Sequence, residues 1–195
     1  MINTIEKIVT PHLVLRPYNL EDAEQLKDAI TETLDLLLPW MPWAKEEPQT
    51  LEQKRSLISG WKKDWNSEKD FVFGIFSFDG ELVGSTGLHL RVGPRALETG
   101  YWMRKKFQGK GYATEAAYAM TKTGFLFSDI DHMIIKCDPT NKISAKIPVK
   151  LEYEFIGEAY SQVHNAVHLS YRMNRTDIKI MDKYEAVEIL TRYDN

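Results

Sequence analysis

A glycine turn with lysines around it is the part of this sequence best suited to chemistry. Gly109 and Gly111 flank Lys110, between an aromatic segment typical of a strand and alanines at helical spacing. The first N–H groups of a helix have no partner within it and carry partial positive charge. Glycine lets an anion approach them closely. The stretch therefore predicts a phosphate-binding turn at the start of a helix.

The spacing of this turn separates it from the common nucleotide-binding loops. The sequence has no Walker run and no opening of three spaced glycines as in a dinucleotide-binding fold. Gln108, Gly111 and Ala113 resemble instead the Gln/Arg-x-x-Gly-x-Gly/Ala signature of the GNAT acetyltransferases. A longer match, from Gly100 to Ala116, is similar to the RimJ/RimL branch, which acetylates ribosomal-protein and other N-termini. The resemblance covers roughly residues 10–174.

The resemblance implies that acetyl-CoA is the co-substrate and that no metal takes part. It implies that the strand ending at Met103 holds the pantetheine arm and splays from the next strand, at 133–137. The cations near the turn would contact the diphosphate, although a solvated turn is the alternative. The cofactor-binding set that the resemblance implies is Trp102, Met103, Arg104, Gln108, Gly109, Lys110, Gly111, Tyr112, Ala113, Thr114 and Asn141.

Acetylation of an amine needs a neutral nitrogen, a stabilised oxyanion and a stabilised thiolate. Glu98 is the candidate for taking the ammonium proton, directly or through water, with a simple ion pair as the alternative. Backbone N–H groups near Met103 would contact the oxyanion. Ser144, in the Asn141-x-x-Ser pattern of the branch, would hydrogen-bond the departing sulfur. Asn141 and Ser144 could equally form an ordinary helix cap.

Two residues depart from the family pattern near this serine. Many GNAT enzymes place a tyrosine seven residues after the asparagine, where this sequence has Pro148. The usual glycine after the helix is Glu152 here, which adopts a left-handed cap only at a cost. We therefore expect the backbone over residues 141–153 to differ from that of its relatives.

Trp40, Trp43 and Tyr101 are the candidate substrate-binding residues, because the link with both tryptophans lies where the family builds its acceptor side. The tryptophans could equally fill the core or a dimer contact, and Tyr101 could simply pack. The expected acceptor is an amine, either a peptide N-terminus or a small molecule such as a polyamine or an antibiotic. A sensor that binds acyl-CoA without turnover is a further alternative.

Composition limits the class of protein. The 195 residues are 43% hydrophobic and 27% charged, and the net charge is −3. We expect one domain over residues 1–195, cytoplasmic, with no attraction to nucleic acid or membrane, as a monomer or homodimer. Cys137 is the one cysteine, so no disulfide forms within the chain. No histidine lies near it in sequence, so direct transfer in a ternary complex is expected.

The elements that position these residues follow from periodicity and turn signals. Strands are predicted at 13–16, 71–78, 81–91, 99–103, 133–137, 153–160 and 167–174, and helices after Asn19, at 51–65, after Gly111 and at 144–151. Residues 177–193 repeat apolar side chains about every third position and predict an extra C-terminal helix. The fold class is α/β (α+β), with a mixed, mostly antiparallel sheet flanked by helices, which matches the single-domain GNAT fold that the resemblance implies.

Overall fold

The computed structural model describes residues 2–162, 165–178 and 187–191 of the chain. The strands are β1 Ile5–Val9, β2 Val14–Pro17, β3 Asp70–Phe76, β4 Leu82–His89, β5 Ala96–Met103, β6 His132–Cys137, β7 Glu154–Ser161, β8 Ala166–Asn174 and β9 Glu188–Thr191. The α-helices are α1 Ala23–Leu37, α2 Leu51–Asn66, α3 Tyr112–Gly124 and α4 Lys142–Lys150. No helix in these ranges is long and apolar enough to cross a membrane.

The described strands form one sheet in the order β7-β8-β6-β5-β4-β3-β2-β1-β9. Every neighbouring pair is antiparallel except β5 and β6, which run parallel. Parallel neighbours need a long crossover, and α3 supplies it. The predicted mixed, mostly antiparallel sheet with flanking helices is confirmed.

Two apolar clusters lie on the sheet. Leu26 and Ile30 of α1 and Ile58 of α2 belong to the smaller cluster, and Trp102 packs against it. The larger cluster contains much of α3, together with Leu97 and Met103 of β5. Because successive side chains of a strand point to opposite faces, the α1–α2 side and the α3 side of β5 are different faces of the sheet.

The first two helices begin where the sequence predicts. Asn19 and Asp22 form a reciprocal capping box at the short 3₁₀ turn that leads into α1. Thr50 and Gln53 form a second box before α2. Each box satisfies backbone N–H groups that the helix cannot satisfy itself, so the entry into each helix is fixed locally.

The predicted C-terminal helix is wrong at residues 188–191, where β9 pairs antiparallel with β1, as Ile189 opposite Ile8. β1 is a strand that the sequence pattern does not predict, and its other side pairs with β2. An edge strand presents unpaired N–H and C=O groups, and pairing β9 onto β1 satisfies one row of them. The backbone hydrogen bonds of that pairing stabilise residues 188–191 as a strand, although the apolar repeat of the sequence favours a helix. The rest of the predicted helix lies largely outside the described residues.

The end of α4 has the conformation that the sequence analysis expects to be costly. Glu152 has φ of 61°, in the left-handed region. The N–H of Glu152 donates to the carbonyl of Val149 at 3.1 Å, and that of Tyr153 to the carbonyl of Pro148 at 2.9 Å. The helix therefore closes with the glycine-type turn although glutamate occupies the position.

Candidate functional site

A gap opens between β5 and β6. Their parallel ladder joins only Ala96–Glu98 to His132–Ile134, although the strands continue to Met103 and Cys137. From Thr99 onward the β5 edge that faces β6 has no ladder partner there. The splay that the family resemblance implies is therefore confirmed, and it leaves backbone hydrogen-bonding groups available to an extended ligand.

The glycine turn follows the end of β5 and begins α3. Gly109 and Gly111 have φ of 76° and 86°, and Gly111 is the N-cap of α3. A Cβ at either position would meet no atom within 4 Å, so the turn is open to solvent. Within the described residues, the N–H groups of residues 109–113 donate to no backbone carbonyl. Open amides at a helix N-terminus fit a diphosphate.

The cations before the turn are mostly held by carboxylates. The side chain of Arg104 donates to Glu32 at 2.6 Å and to Glu81 at 3.2 Å. These two carboxylates already compensate the charge of Arg104, which is predicted to be a cofactor-binding residue. The neighbouring lysines are paired too: Lys105 with Asp35 and Lys106 with Glu81. Lys110 has no carboxylate partner in the described part of the chain, so it is the cation best placed to meet an anion.

The remaining residues predicted around the turn build its walls. The side chain of Gln108 donates to the carbonyl of Met103 at 3.1 Å and closes the turn onto β5. Met103 itself is buried in the larger core. The first turn of α3 contains Tyr112, Ala113 and Thr114. The first two are partly buried against that core, and the N–H of Thr114 donates to the Gly111 carbonyl at 3.0 Å.

A cavity of about 570 Å³ reaches both sides of the β5–β6 gap. Its lining includes both tryptophans of the predicted acceptor link, Trp40 and Trp43. The rings of Trp43 and Trp102 have centroids 6.2 Å apart. The structure thus places Trp102 beside the predicted acceptor residues, whereas the sequence predicts that it binds the cofactor. The residues of the glycine turn do not line this cavity.

Glu98 faces the cavity as a buried, ion-paired carboxylate. Its Oε1 accepts from Nε of Arg91 at 3.0 Å and from Nη2 of Arg91 at 2.5 Å, and Oε2 lies 3.4 Å from Nζ of Lys136. Burial raises the pKa of Glu98, but the hydrogen bond and charge of Arg91, with Lys136 and His89, outweigh it and lower the pKa overall. Glu98 is therefore a charged group and a weak base. His89 lies opposite Glu98 in the β4–β5 ladder.

The other side of the gap carries Ser144, Asn141 and Tyr101. The side-chain oxygen of Asn141 accepts from the N–H of Ser144 at 3.0 Å, so the capping interaction is present. The hydroxyl of Tyr101 lies 3.5 Å from Oγ of Ser144. Since Tyr101 is one residue from Trp102, it points to the opposite face of β5. Tyr101 thus lies beside α4, away from the acceptor tryptophans with which the sequence analysis groups it.

Cys137 also lines the cavity, and burial raises the pKa of its thiol to about 11. The thiolate is the nucleophilic form of cysteine, and a thiol with this pKa is almost entirely protonated at neutral pH. A covalent route through Cys137 is therefore disfavoured, in agreement with the expected direct transfer.

Several polar residues of the cavity have partners that the sequence does not predict. Asp70 and His89 pair at 2.5 Å, and Lys54 and Glu47 form a pair that is almost fully buried. Lys136 was detectable as a single lysine in an otherwise apolar strand. The other pairings join residues of different elements, so only the sheet register or the helix packing reveals them.

Comparison with known proteins identifies the family. An acetyltransferase (GNAT) domain model matches residues 12–154. The putative ribosomal N-acetyltransferase YdaF of Bacillus subtilis (strain 168) is 26% identical over 82% of this chain and 88% of its own length. The [ribosomal protein uS5]-alanine N-acetyltransferase of Escherichia coli (strain K12) is 28% identical over 78% and 80%.

A solved structure shares the fold. RimL, a ribosomal L7/L12 alpha-N-protein acetyltransferase in complex with coenzyme A, superimposes with a TM-score of 0.74 at 20% identity, covering 85% of this chain and 96% of its own. The family model spans well over half of the chain. The chain therefore belongs to the GNAT acetyltransferase family.

Proposed function

We propose that this acetyltransferase moves an acetyl group from acetyl-CoA to the α-amine of a peptide N-terminus, by direct attack in a ternary complex. The observation that carries the proposal is the β5–β6 gap, which begins near the open amides of the glycine turn and leads into the cavity. A diphosphate held at the turn would direct the pantetheine arm along β5. The named activities of the ribosomal-protein relatives support the same acceptor class.

Different groups of the chain contact the diphosphate, the pantetheine arm and the oxyanion. The N–H groups at residues 109–113 and Lys110 hold the diphosphate, and the free edge of β5 holds the amides of the arm. Backbone N–H groups of that edge near Met103 stabilise the oxyanion. Acetyl-CoA supplies the activated acyl group.

Glu98 acts on the acceptor as a charged carboxylate. An α-amine has a pKa of about 7.7–8.0, so about a tenth of it is neutral at pH 7 without any base. The lowered pKa of Glu98 makes direct removal of the ammonium proton unfavourable. The carboxylate instead orients the amine and stabilises the positive charge that develops on nitrogen, and the nitrogen loses its proton to water.

The charge balance of the cavity favours an acceptor with one ammonium group. Of the five acids in the cavity lining, at least three are ion-paired: Glu98 with Arg91 and Lys136, Glu47 with Lys54, and Asp70 with His89. A polyamine would need several carboxylates without partners to compensate its charges. Trp40 and Trp43 of the cavity lining offer apolar surface to the first peptide side chains.

Calorimetry with CoA tests the binding half of the proposal. Gly111→Asp adds negative charge and a side chain at φ of 86°, so we expect CoA affinity to fall at least tenfold. Gly93→Asp is the matched control, because Gly93 has φ of 104° in the loop before β5 and lies outside the cavity. Equal CoA affinities in the two variants would refute the assigned turn.

A turnover screen tests the acceptor. Purified protein is assayed with acetyl-CoA and ribosomal-protein N-terminal peptides, beside polyamines and aminoglycosides, by release of free thiol. Acetylation of the peptide α-amine is expected. Turnover confined to polyamines or aminoglycosides would establish the small-amine alternative. CoA binding without turnover on the whole panel would establish the sensor.

A further inference from the structure

A tyrosine hydroxyl without a strong acceptor lies on the α4 side of the cavity. The Tyr101 hydroxyl is 3.5 Å from Oγ of Ser144 and 3.5 Å from the Ser144 carbonyl oxygen. Both distances exceed the range of about 2.5–3.0 Å for a well-formed O–H···O hydrogen bond. The hydroxyl proton is therefore available to a ligand atom that enters between Tyr101 and Ser144.

The sequence of α4 explains why this space is polar. In an α-helix the N–H of residue 148 would bond the carbonyl of residue 144, but Pro148 has no N–H. The Ser144 carbonyl is thus left facing Tyr101. On the same face of β5, Oγ1 of Thr99 is buried and has no hydrogen-bond partner in the described residues. Buried hydroxyls without acceptors are rare and mark a place where a ligand can complete the bonds.

The surroundings keep Tyr101 in its donor form. Burial raises the pKa of Tyr101, and the hydrogen bond with Ser144 only partly offsets that effect. The phenol therefore stays protonated throughout the neutral range. Its position beside Cys137 and Ser144, both in the cavity lining, places it where β5 and β6 have separated.

We propose that Tyr101 is a catalytic residue that donates a hydrogen bond to the CoA sulfur as the thioester bond breaks, with Ser144 as a second donor. This assignment rests on the proposed function, because it requires a thioester in the β5–β6 gap. The amine nitrogen bonds to the acyl carbon, and the C–S bond breaks with its electron pair going to sulfur. The nitrogen loses a proton to water, and the thiolate later gains one from water. Tyr101 keeps its proton, since a phenol is a weaker acid than a thiol.

Tyr101→Phe tests the assignment, with Tyr153→Phe as the matched control. The Tyr153 hydroxyl bonds Oγ1 of Thr121 at 2.5 Å and lies outside the cavity lining. The measurements are CoA affinity, kcat with acetyl-CoA, and the pKa of the thiol in bound CoA, from the ultraviolet absorbance of the thiolate. Tyr101→Phe is expected to raise that thiol pKa by about one unit and to lower kcat about tenfold, at nearly unchanged affinity. Tyr153→Phe should change neither.

Ser144→Ala is a second variant that should raise the thiol pKa, and the double variant should raise it further. The assignment is overturned if Tyr101→Phe matches Tyr153→Phe in thiol pKa and kcat while both bind CoA. It is also overturned if only CoA affinity falls. Neither result affects the proposed function. Failure of the unaltered protein to bind CoA would refute the proposed function itself.

Discussion

Replacing Glu98 with glutamine should lower the rate of acetyl transfer without changing its dependence on pH. The carboxylate is buried and held by Arg91 and Lys136, so Glu98→Gln removes one negative charge and leaves two cations facing the acceptor. For an ammonium about 6 Å away, at an effective dielectric constant of about 20, that charge is worth about 3 kcal/mol. This energy corresponds to about a 100-fold fall in kcat/KM.

The sign of the pH effect follows from two pKa values. The pKa of Glu98 is lowered, so its carboxylate is charged throughout the neutral range. The charge is lost only when the solution becomes acidic enough to protonate the carboxylate. The acceptor amine becomes neutral as the pH rises through about 8. The profile of kcat/KM against pH should therefore rise to a plateau with the pKa of the amine, in both the unaltered enzyme and Glu98→Gln.

The assay is thiol release from acetyl-CoA with a peptide acceptor, measured across the neutral range. Glu46→Gln is the control, because this exposed carboxylate also lines the cavity and should change kcat/KM less than about threefold. The reasoning is refuted if the unaltered enzyme shows a rise near pH 6 to 7 that disappears in Glu98→Gln. Such a rise would mean that Glu98 is a base with a raised pKa.

Three further perturbations test the packing and charge arguments. Glu152→Gly should raise the free energy of unfolding by about 0.5–1 kcal/mol in urea titrations, because it relieves left-handed strain in a non-glycine residue. Lys54→Met should lower that free energy by about 3–5 kcal/mol, because it leaves the buried Glu47 carboxylate without its partner. Lys110→Ala should weaken CoA binding a few-fold in calorimetry, and less so at high salt.

Each of these changes has a control within the chain. Glu158→Gly, in β7 at an ordinary φ, should destabilise the fold, and a gain there equal to that at residue 152 would contradict the strain argument. Adding Glu47→Leu to Lys54→Met should recover most of the loss, unless the lysine stabilises by packing alone. Lys106→Ala should leave CoA affinity nearly unchanged, because Glu81 already pairs with Lys106.

Local signals in the sequence were enough to predict most of the elements. The cap at Asn19 and the two glycines of the phosphate turn each act within a few residues, so local sequence is enough to predict them. β9 was missed for the opposite reason: it is held by a ladder to β1, about 180 residues earlier in the chain.

The residue types of the candidate site could be predicted from the sequence, but the hydrogen-bond and ion-pair partners of those residues could not. Ser144 was predicted from a family motif, Glu98 from its place on the strand beside the thioester, and the structure brings both to one cavity. Arg104 pairs with Glu32 because α1 packs beside the turn, and no local sequence pattern predicts that packing. Motifs therefore identify groups that a ligand would contact, whereas tertiary packing determines which charges are already neutralised.

Because successive side chains of β5 point to opposite faces of the sheet, the strand separates the acceptor side of the proposed site from the leaving-group side. Glu98 and Trp102 lie on the face toward α1 and α2, and Tyr101 lies on the face toward α4. A thioester in the gap beyond residue 98 would have the acceptor amine on one side and the leaving sulfur on the other. The nucleophile and the leaving group must occupy different positions around the carbonyl carbon. Because the ladder of β5 with β6 ends at Glu98, nearby residues of β5 can contact the two groups from opposite faces of the strand. An inserted residue in β5 between Glu98 and Tyr101 would place both side chains on one face and should abolish transfer.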